Sequence, residues 1–401
     1  MKFVGLPLLI ILVIALVGVP ATYISYTTWG SGSNPDLYFG VSYGQNSTQG
    51  AKLLIDEVKG YSNLFLINSW DITINESALN EVADYAANSG LHFMVFFSFI
   101  SNQTYSWHQT WLDTAKQRWG DMFLGVYLYD EPGGWQIQQG QWNNGSYVRA
   151  LFQNTSSPQE AAAKFVSLGT SPSFNSMNDL KRRGIPAFTS DFALYWYDYM
   201  AGYSSVFVEL GWNNSRTQQI ALVRGAAQSM GKDWGAIITW TYMQPPYIAS
   251  GPEILQDMHL AYDAGAKYIV VFNYPTNPEG NPYGILNEEH FSAMQQFWSY
   301  QQNTARATEQ AAATAALVLP QYYGGGLRWA DDNVWGPASL SWRAAWPEDT
   351  QTPLIWHNFN LLSDTYGLRL NVVFDGTNAI NLVKQYDRVY LWNQTLNYAT
   401  L

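Results

Sequence analysis

The stretch LYFGVSYGQNSTQGAKLLIDEVKGYSNLFLINSWD, residues 37–71, decides the fold class. Two short runs, 37–44 and 64–71, are almost continuously apolar and aromatic, as expected for strands that are covered on both faces. Between them, 49–60 has the spacing of an amphipathic helix. A strand, a helix and a second strand in this order form the unit of a parallel sheet. The turn after the first run is not G-x-G-x-x-G, which disfavours a doubly wound dinucleotide-binding sheet.

The same alternation continues to about residue 300. Strands are predicted at 37–44, 64–71, 92–100, 123–130, 186–196, 204–211, 235–243 and 267–275, and helices at 49–60, 76–90, 110–120, 215–231, 251–266 and 287–303. Eight such strands within residues 36–300 predict an α/β fold, a (β/α)8 barrel. The connection after the fourth strand, 131–185, is unusually long, and barrels rarely insert that much chain without a use for it.

Residues 301–401 do not continue the pattern and predict a small C-terminal α/β appendage. The segment 303–317 predicts a helix or a linker. A helix at 356–367, a strand at 368–375, a helix at 378–386 and a strand at 388–393 follow.

The N-terminus predicts a membrane tether. Residues 1–26 hold one lysine, Lys2, followed by an apolar run long enough to span a bilayer. The run is interpreted as a signal-anchor, or as a signal peptide cut after Ala21. Lys2 before the apolar run predicts that the N-terminus lies in the cytoplasm. Residues 27–35 are then a tether, and the rest of the chain is extracellular or secreted. Seven N-x-S/T sequons fit that location and predict possible N-glycans at Asn46, Asn75, Asn102, Asn144, Asn154, Asn213 and Asn393.

The amino-acid composition limits the classes of binding partner and cofactor that are expected. The 401 residues carry a net charge of −11, so a nucleic-acid partner is not expected. There are 18 Trp and 27 Tyr, whose flat rings suit either a large aromatic core or the stacking of carbohydrate. The chain has no cysteine, and its five histidines show no metal-ligand spacing, so neither a metal nor a cofactor is predicted.

The candidate site follows from the barrel, because its active face is formed by the C-terminal ends of the strands. Four carboxylates fall there and are candidate catalytic groups: Asp130, Glu131, Asp191 and Glu209. The candidate substrate-binding residues are Tyr43, Trp70, Asp71, Tyr195, Trp212, Trp240, Tyr242 and Asn273, with Arg328 on a glycine-rich tail loop expected over the mouth. Strand ends rich in acids, amides and aromatics but without lysine or arginine favour a neutral polyhydroxylated ligand.

The motif YLYDEPGG, 127–134, resembles the fourth-strand motif of several (β/α)8 glycoside hydrolase-like families. This resemblance implies that Glu131 is the acid/base of a glycosidase. The segment IITWTYMQPP, 237–246, has no acid, so the group with a nucleophilic glutamate on strand 7 is not matched. A second carboxylate from strand 6, Glu209, is the best partner, since glycosidic cleavage uses two carboxylates.

Two functions are therefore open at the level of sequence. One is a membrane-tethered glycoside hydrolase. The other is a non-catalytic glycan-binding or cell-envelope structural protein on the same scaffold, because a barrel alone does not fix an activity. Two carboxylates that face each other favour the enzyme, whereas a lone exposed Glu131 favours the binding protein.

Overall fold

The computed structural model describes residues 35–97, 106–134, 155, 157–170, 176–273, 281–304, 312–328, 330, 333–334, 351–376, 379–399 and 401. Eight parallel strands close into a barrel in chain order. They are β1 (Tyr38–Tyr43), β2 (Leu64–Ile67), β3 (His92–Phe97), β4 (Phe123–Leu128), β5 (Ala187–Asp191), β6 (Ser205–Leu210), β7 (Asp233–Ile238) and β8 (Tyr268–Val271). The predicted barrel is confirmed.

Helices lie between the strands. Those described are α1 (Thr48–Val58), α2 (Trp70–Thr73), α3 (Glu76–Asn88), α4 (Ser106–Trp119), α5 (Pro158–Thr170), α6 (Ser176–Arg183), α7 (Tyr195–Ala201), α8 (Arg216–Met230), α9 (Gly251–Asp263) and α10 (Glu288–Asn303). The apolar positions of these helices pack on the outside of the barrel, which is why their sequences are amphipathic.

Several strands are shorter than predicted at their C-terminal ends. The run 64–71 leaves the sheet after Ile67, because Ser69 caps α2 by accepting a hydrogen bond from the Ile72 N–H at 3.3 Å. The run 186–196 ends at Asp191, and Tyr195 begins α7 instead of closing the strand. Aromatic density indicates burial, and after β5 the buried aromatic residues 195–197 and 199 lie in the helix α7.

Side-chain parity decides which residues reach the barrel interior. Tyr127 in β4, Phe188 in β5 and Phe207 in β6 belong to a separate interior cluster. Two residues further along their strands, Ser190 and Glu209 therefore point the same way, into the C-terminal mouth. This alternation places the functional groups.

The tail forms a second, three-stranded parallel sheet from β9 (Ala315–Leu319), β10 (Leu370–Phe374) and β11 (Arg388–Leu391), with β9 in the centre. The helices α11 (Gln351–Tyr366) and α12 (Ala379–Val383) connect its strands. The interpretation of 303–317 as a helix or linker is wrong at its end, because 315–319 is the central strand. Its residues Ala315, Leu317 and Leu319 are buried in the main core.

Buried polar contacts join this sheet to the barrel. Arg224 of α8 donates to the Asn371 side chain at 2.7 Å and to the carbonyl of Leu370 at 3.1 Å. Residues 37–401 form one compact unit. The predicted boundary at residue 300 stays a prediction.

The N-terminal predictions lie outside the described residues, both the span 1–26 and all of the tether 27–35 except residue 35. Within the described ranges, no helix is long and apolar enough to cross a membrane. Of the sequon asparagines, Asn102, Asn144 and Asn154 are likewise outside. Asn46, Asn75, Asn213 and Asn393 are exposed, and their glycosylation stays a prediction.

Candidate active site

Two carboxyl groups meet at the C-terminal mouth of the barrel. Glu131 follows β4 and Glu209 lies near the end of β6, and each carboxyl group acts on the pKa of the other. Two buried carboxyl groups that lie close together repel each other when both are ionised. This repulsion favours a form of the pair that carries a proton.

Burial and charge raise the pKa of both groups. Loss of hydration, followed by the charges of Asp130 and Asp191, raises the pKa of Glu131 to about 8, although Glu209 and Arg328 act in the opposite direction. Burial, then the charge of Glu131, raises the pKa of Glu209 well above its usual value. Such coupled groups titrate as a unit, so the proton belongs to the pair at neutral pH.

Hydroxyl groups form a hydrogen-bond network around Glu209. Ser190 Oγ lies 2.8 Å from Glu209 Oε1, 3.1 Å from Asp130 Oδ1 and 2.7 Å from the Tyr127 hydroxyl. The Tyr127 hydroxyl donates to Asp130 Oδ1 at 2.8 Å and accepts from the Ser190 N–H at 3.1 Å. Ser190 thus connects the acids of β4 and β6, and its hydrogen bonds lower the pKa of Asp130 and of Glu209.

Asp130 is the most open of these acids. Solvent reaches its side chain, yet protein surrounds the carboxyl group, and the reduced hydration raises its pKa. The hydrogen bonds from Tyr127 and Ser190 oppose that rise. Asp130 therefore contributes negative charge beside the pair.

The backbone at this point is unusual. Tyr129 and Glu131 both adopt left-handed conformations, with φ of 58° and 50°, which are uncommon for residues other than glycine. The Glu131 N–H donates to the Ser190 carbonyl at 3.0 Å, so the strained segment is fixed to β5. Strain of this kind persists where surrounding contacts hold it, often at functional sites.

The two glycines that follow Glu131 allow a close approach. A Cβ on Gly133 would lie 2.4 Å from the Ala193 carbonyl oxygen, and one on Gly134 would lie 2.1 Å from the Phe192 ring. Only a hydrogen fits at these positions. The sequence EPGG therefore presses the segment after β4 against the segment after β5.

Asp191 holds this contact together and does not face the mouth. Its carboxylate accepts the N–H groups of Gly133 at 2.5 Å, Gly134 at 2.8 Å, Phe192 at 2.7 Å and Ala193 at 3.2 Å. By strand parity it points away from the interior, opposite to Ser190. Asp191 is thus near the acid pair but is not presented to a ligand in the mouth.

Aromatic side chains surround part of the mouth. The rings of Trp212 and Trp240, after β6 and β7, have centroids 6.1 Å apart, and those of Trp240 and Tyr247 are 5.6 Å apart. Trp212 and Tyr242 are exposed, at 37% and 44%. On α2, which follows the opposite strand β2, Trp70 is exposed at 41% and Asp71 is exposed too. These rings offer apolar faces on two sides of the opening.

Three predicted binding residues are placed elsewhere. Tyr43 points outward into the helices, and its hydroxyl donates to the Ser47 carbonyl at 2.8 Å. Tyr195 is fully buried in α7 and bonds the Gln219 side chain. Asn273 is buried, and its amide holds the backbone of Tyr283 and Ile285. Each uses its polar atoms within the fold, and their assignment to substrate binding stays a prediction.

Arg328 belongs to the described part of the tail. Its guanidinium lies 5.0 Å from the centre of the Phe192 ring, and its charge lowers the pKa of Glu131. The tail therefore brings a positive charge close to Glu131, and the expectation that Arg328 lies over the mouth stays a prediction.

Sequence reasoning missed Ser190, Tyr127 and Asp198. The alternation of side chains along AFTSD could have indicated Ser190. Phe188 faces the barrel interior, and Ser190, two residues later, lies on the same face. Nothing local marked Asp198, which is buried within an aromatic helix. Among the described residues, no group of three or more His, Asp or Glu side chains is arranged to hold a metal ion.

Comparisons with known proteins bear on the architecture. No family model matches the chain, and no curated protein matches it. Among solved structures, the catalytic module of a family 98 glycoside hydrolase from Streptococcus pneumoniae TIGR4 is 12% identical with a TM-score of 0.46, over 90% of this chain and 66% of that one. The beta-glycosidase BGL167 is 10% identical with a TM-score of 0.38, over 69% of this chain and 99% of that one.

A barrel of other chemistry matches as well. A 3-hexulose-6-phosphate synthase is 11% identical with a TM-score of 0.34, over 66% of this chain and 99% of that one. At such values the likeness concerns the barrel alone. The (β/α)8 architecture that the glycoside hydrolase resemblance implied is confirmed by the closed sheet itself, and no family is assigned.

Proposed function

We propose that this protein is a glycoside hydrolase that cleaves its substrate with Glu131 and Glu209. The observation that carries the proposal is that Glu131 and Glu209 bring two carboxyl groups together at the barrel mouth, both with a raised pKa. Glycosidic cleavage needs one carboxylic acid to protonate the leaving oxygen and one carboxylate on the other side of the scissile bond. A lone exposed Glu131 would have favoured a binding protein, and Glu131 is not alone.

Glu131 is the general acid in this proposal. Its pKa of about 8 keeps it protonated at neutral pH, so it can donate to the glycosidic oxygen as the bond breaks. Glu209 acts as the carboxylate that attacks the anomeric carbon. Because burial raises the pKa of Glu209, this role requires that the one proton of the pair lies on Glu131. The Ser190 hydroxyl, 2.8 Å from Glu209 Oε1, stabilises its ionised form. Glu131 then takes a proton from the water that releases the sugar.

We propose retention of anomeric configuration. Inverting enzymes separate the two carboxyl groups by about 6.5–9.5 Å to admit a water, whereas retaining enzymes separate them by about 5–5.5 Å. Glu131 and Glu209 lie close enough together for each to act on the pKa of the other, which favours the shorter separation.

The substrate class is a neutral saccharide, bound by stacking. Trp212 and Tyr242 on one side and Trp70 on the other present exposed ring faces, which bury the apolar faces of sugar rings. Asp130 beside the pair and Asp71 on the opposite side, on α2, disfavour anionic ligands at the same opening. Asp130 is also placed to accept a sugar hydroxyl.

The tether and location complete the proposal. The apolar run 1–26 supports an anchor, with the barrel outside the cell or secreted. Exposure of Asn46, Asn75, Asn213 and Asn393 is compatible with glycans at these sites.

Covalent trapping tests the two roles directly. A 2-deoxy-2-fluoro glycoside with a good leaving group slows both steps but keeps the glycosyl–enzyme ester, so intact mass and peptide mapping should place one sugar on Glu209. Glu209→Gln should take up none. An active enzyme that forms no adduct on Glu209 would contradict its assignment as nucleophile.

A further inference from the structure

A second carboxyl pair lies behind the first, formed by Asp191 at the end of β5 and Asp198 in α7. Both side chains are fully buried, at 0% exposure, and Asp191 lies close enough to Asp198 to raise its pKa. Two buried acids in contact repel each other unless a proton lies between them. The question is which of the two carries it.

The hydrogen-bond donors answer this question. Asp191 accepts four backbone N–H groups at 2.5–3.2 Å, which stabilise its ionised form and oppose the burial that raises its pKa to about 6. Neither oxygen of Asp198 accepts a hydrogen bond from the described part of the chain. A buried carboxylate without donors is very costly, whereas a protonated carboxyl group that donates to Asp191 is satisfied.

We propose that Asp198 is permanently protonated and donates to the Asp191 carboxylate, and that this pair positions Glu131 by holding the Gly133–Gly134 turn. Both acids are positioning residues, since neither faces the mouth. The part that concerns catalysis rests on the proposed hydrolase function. The part that concerns the proton does not.

Among the described residues, the acids of the mouth and three buried tyrosines lie around the pair. The titratable groups that act on it are Glu131 and Glu209 from the mouth and Tyr195, Tyr199 and Tyr203 in or next to α7. Burial raises the pKa of the three tyrosines, so they remain neutral. Burial and the charge of Asp191 raise the pKa of Asp198 in turn.

The proton on Asp198 makes the stability of the folded protein depend on pH. Folded Asp198 keeps a proton that the unfolded chain releases above a pKa of about 3.9. The folded state therefore binds more protons, and its stability falls as pH rises from that value towards the folded-state pKa of Asp198. Asparagine at 198 donates the same hydrogen bond and has no proton to lose.

The test compares the full chain with Asp198→Asn, Asp198→Ala and Asp191→Asn, and with Asp364→Asn as a control at an exposed acid of α11. Denaturant unfolding is measured from pH 5 to 8. Asp198→Asn should be at least as stable as wild type. The ratio of the unfolding equilibrium constants, wild type over Asp198→Asn, should rise about tenfold per pH unit. The same ratio for Asp364→Asn should stay flat.

A flat ratio for Asp198→Asn would overturn the proposal, because it would mean that Asp198 is ionised in the folded protein. Asp198→Ala, if it folds, should lose stability at every pH, since it leaves the Asp191 carboxylate without this donor. These results decide the proton even if no glycoside is cleaved.

Activity decides the positioning role. Asp198→Asn should retain kcat and KM. In Asp191→Asn, kcat should fall at least tenfold, and the alkaline limb of kcat/KM should move to lower pH, because the Asp191 charge raises the pKa of Glu131. If Asp191→Asn is active and the alkaline limb of its kcat/KM profile does not move, the positioning role of Asp191 is contradicted. A wild type without hydrolysis on any glycoside would instead contradict the proposed function.

Discussion

Opposing effects set the pKa of the Glu131 carboxyl group. Burial and the charges of Asp130 and Asp191 raise its pKa, while Glu209 and Arg328 lower it, and the balance is a pKa of about 8. A glutamate with this pKa is protonated at neutral pH and can still give up its proton in a transition state. The chemistry of the site therefore depends on charges that the sequence places after three different strands and in the tail.

Replacing Glu131 by glutamine should lower kcat by a factor of about 100 to 10,000, the usual contribution of a general acid. The variant should fold normally, because glutamine has the same shape and can donate to Glu209. Steady-state hydrolysis measures the effect. Glu288→Gln, an exposed first-turn residue of α10, is the matched control and should keep full activity.

The pH dependence should follow from the same group. Since the reaction needs protonated Glu131, kcat/KM should fall as pH rises through about 8. Arg328→Ala should move this limb to higher pH, because the Arg328 charge lowers the pKa of Glu131. A limb that does not respond to Arg328 would show that another group controls it.

Ser190→Ala should raise the pKa of Glu209, the second carboxyl group of the pair. Loss of the hydroxyl removes one hydrogen-bond partner from Glu209 and one from Asp130, which keeps the Tyr127 hydroxyl as a donor. The loss should cost about 1–3 kcal/mol of stability and raise both pKa values. The acid limb of kcat/KM should therefore move to higher pH. Ser205→Ala, a buried serine at the start of β6, should leave the limb in place.

At the level of elements, the site depends on how β4 and β5 end. The motif after β4 predicted a functional segment, and the structure shows the physical reason for its two glycines: each lies too close to the segment 191–193 for a side chain. The sequence did not reveal that a helix, α7, begins at Tyr195. A dense aromatic run indicates burial, but strands and buried helices both satisfy it, so Tyr195 and Tyr43 were assigned to the wrong environment.

Gly134→Ala should displace the segment that carries Glu131. The new methyl would lie 2.1 Å from the Phe192 ring, an overpacking that costs about 1–3 kcal/mol. Activity should fall together with stability in denaturant unfolding. Gly60→Ala meets no atom within 4 Å and should change neither. Equal behaviour of the two variants would mean that the tight contact has no role.

At the scale of the whole molecule, the sequence was sufficient for the barrel and insufficient for its tail. Eight apolar runs separated by amphipathic helices allow few folds, and the closed sheet has that order. The tail lacked such redundancy. Its central strand β9 follows an alanine-rich segment whose composition favours a helix, and only pairing with β10 and β11 makes 315–319 a strand.

A fragment that ends at residue 304 should not fold as a soluble monomer. Arg224 is buried in α8, where burial lowers its pKa to about 10, and its partners Asn371 and Leu370 lie in the tail. Removing the tail exposes the apolar face of α8. Size-exclusion chromatography and denaturant unfolding of 36–304 beside 36–401 measure this. A monomeric 36–304 with unchanged stability would contradict it.

The central claim is that Glu131 and Glu209 form a hydrolytic pair. The most direct test is hydrolysis by residues 30–401 on a broad panel of aryl glycosides and polysaccharides, with Glu131→Gln beside it. We expect wild type to cleave at least one glycoside with retention, and Glu131→Gln to lose that cleavage while remaining folded. Undiminished cleavage by folded Glu131→Gln would contradict the account.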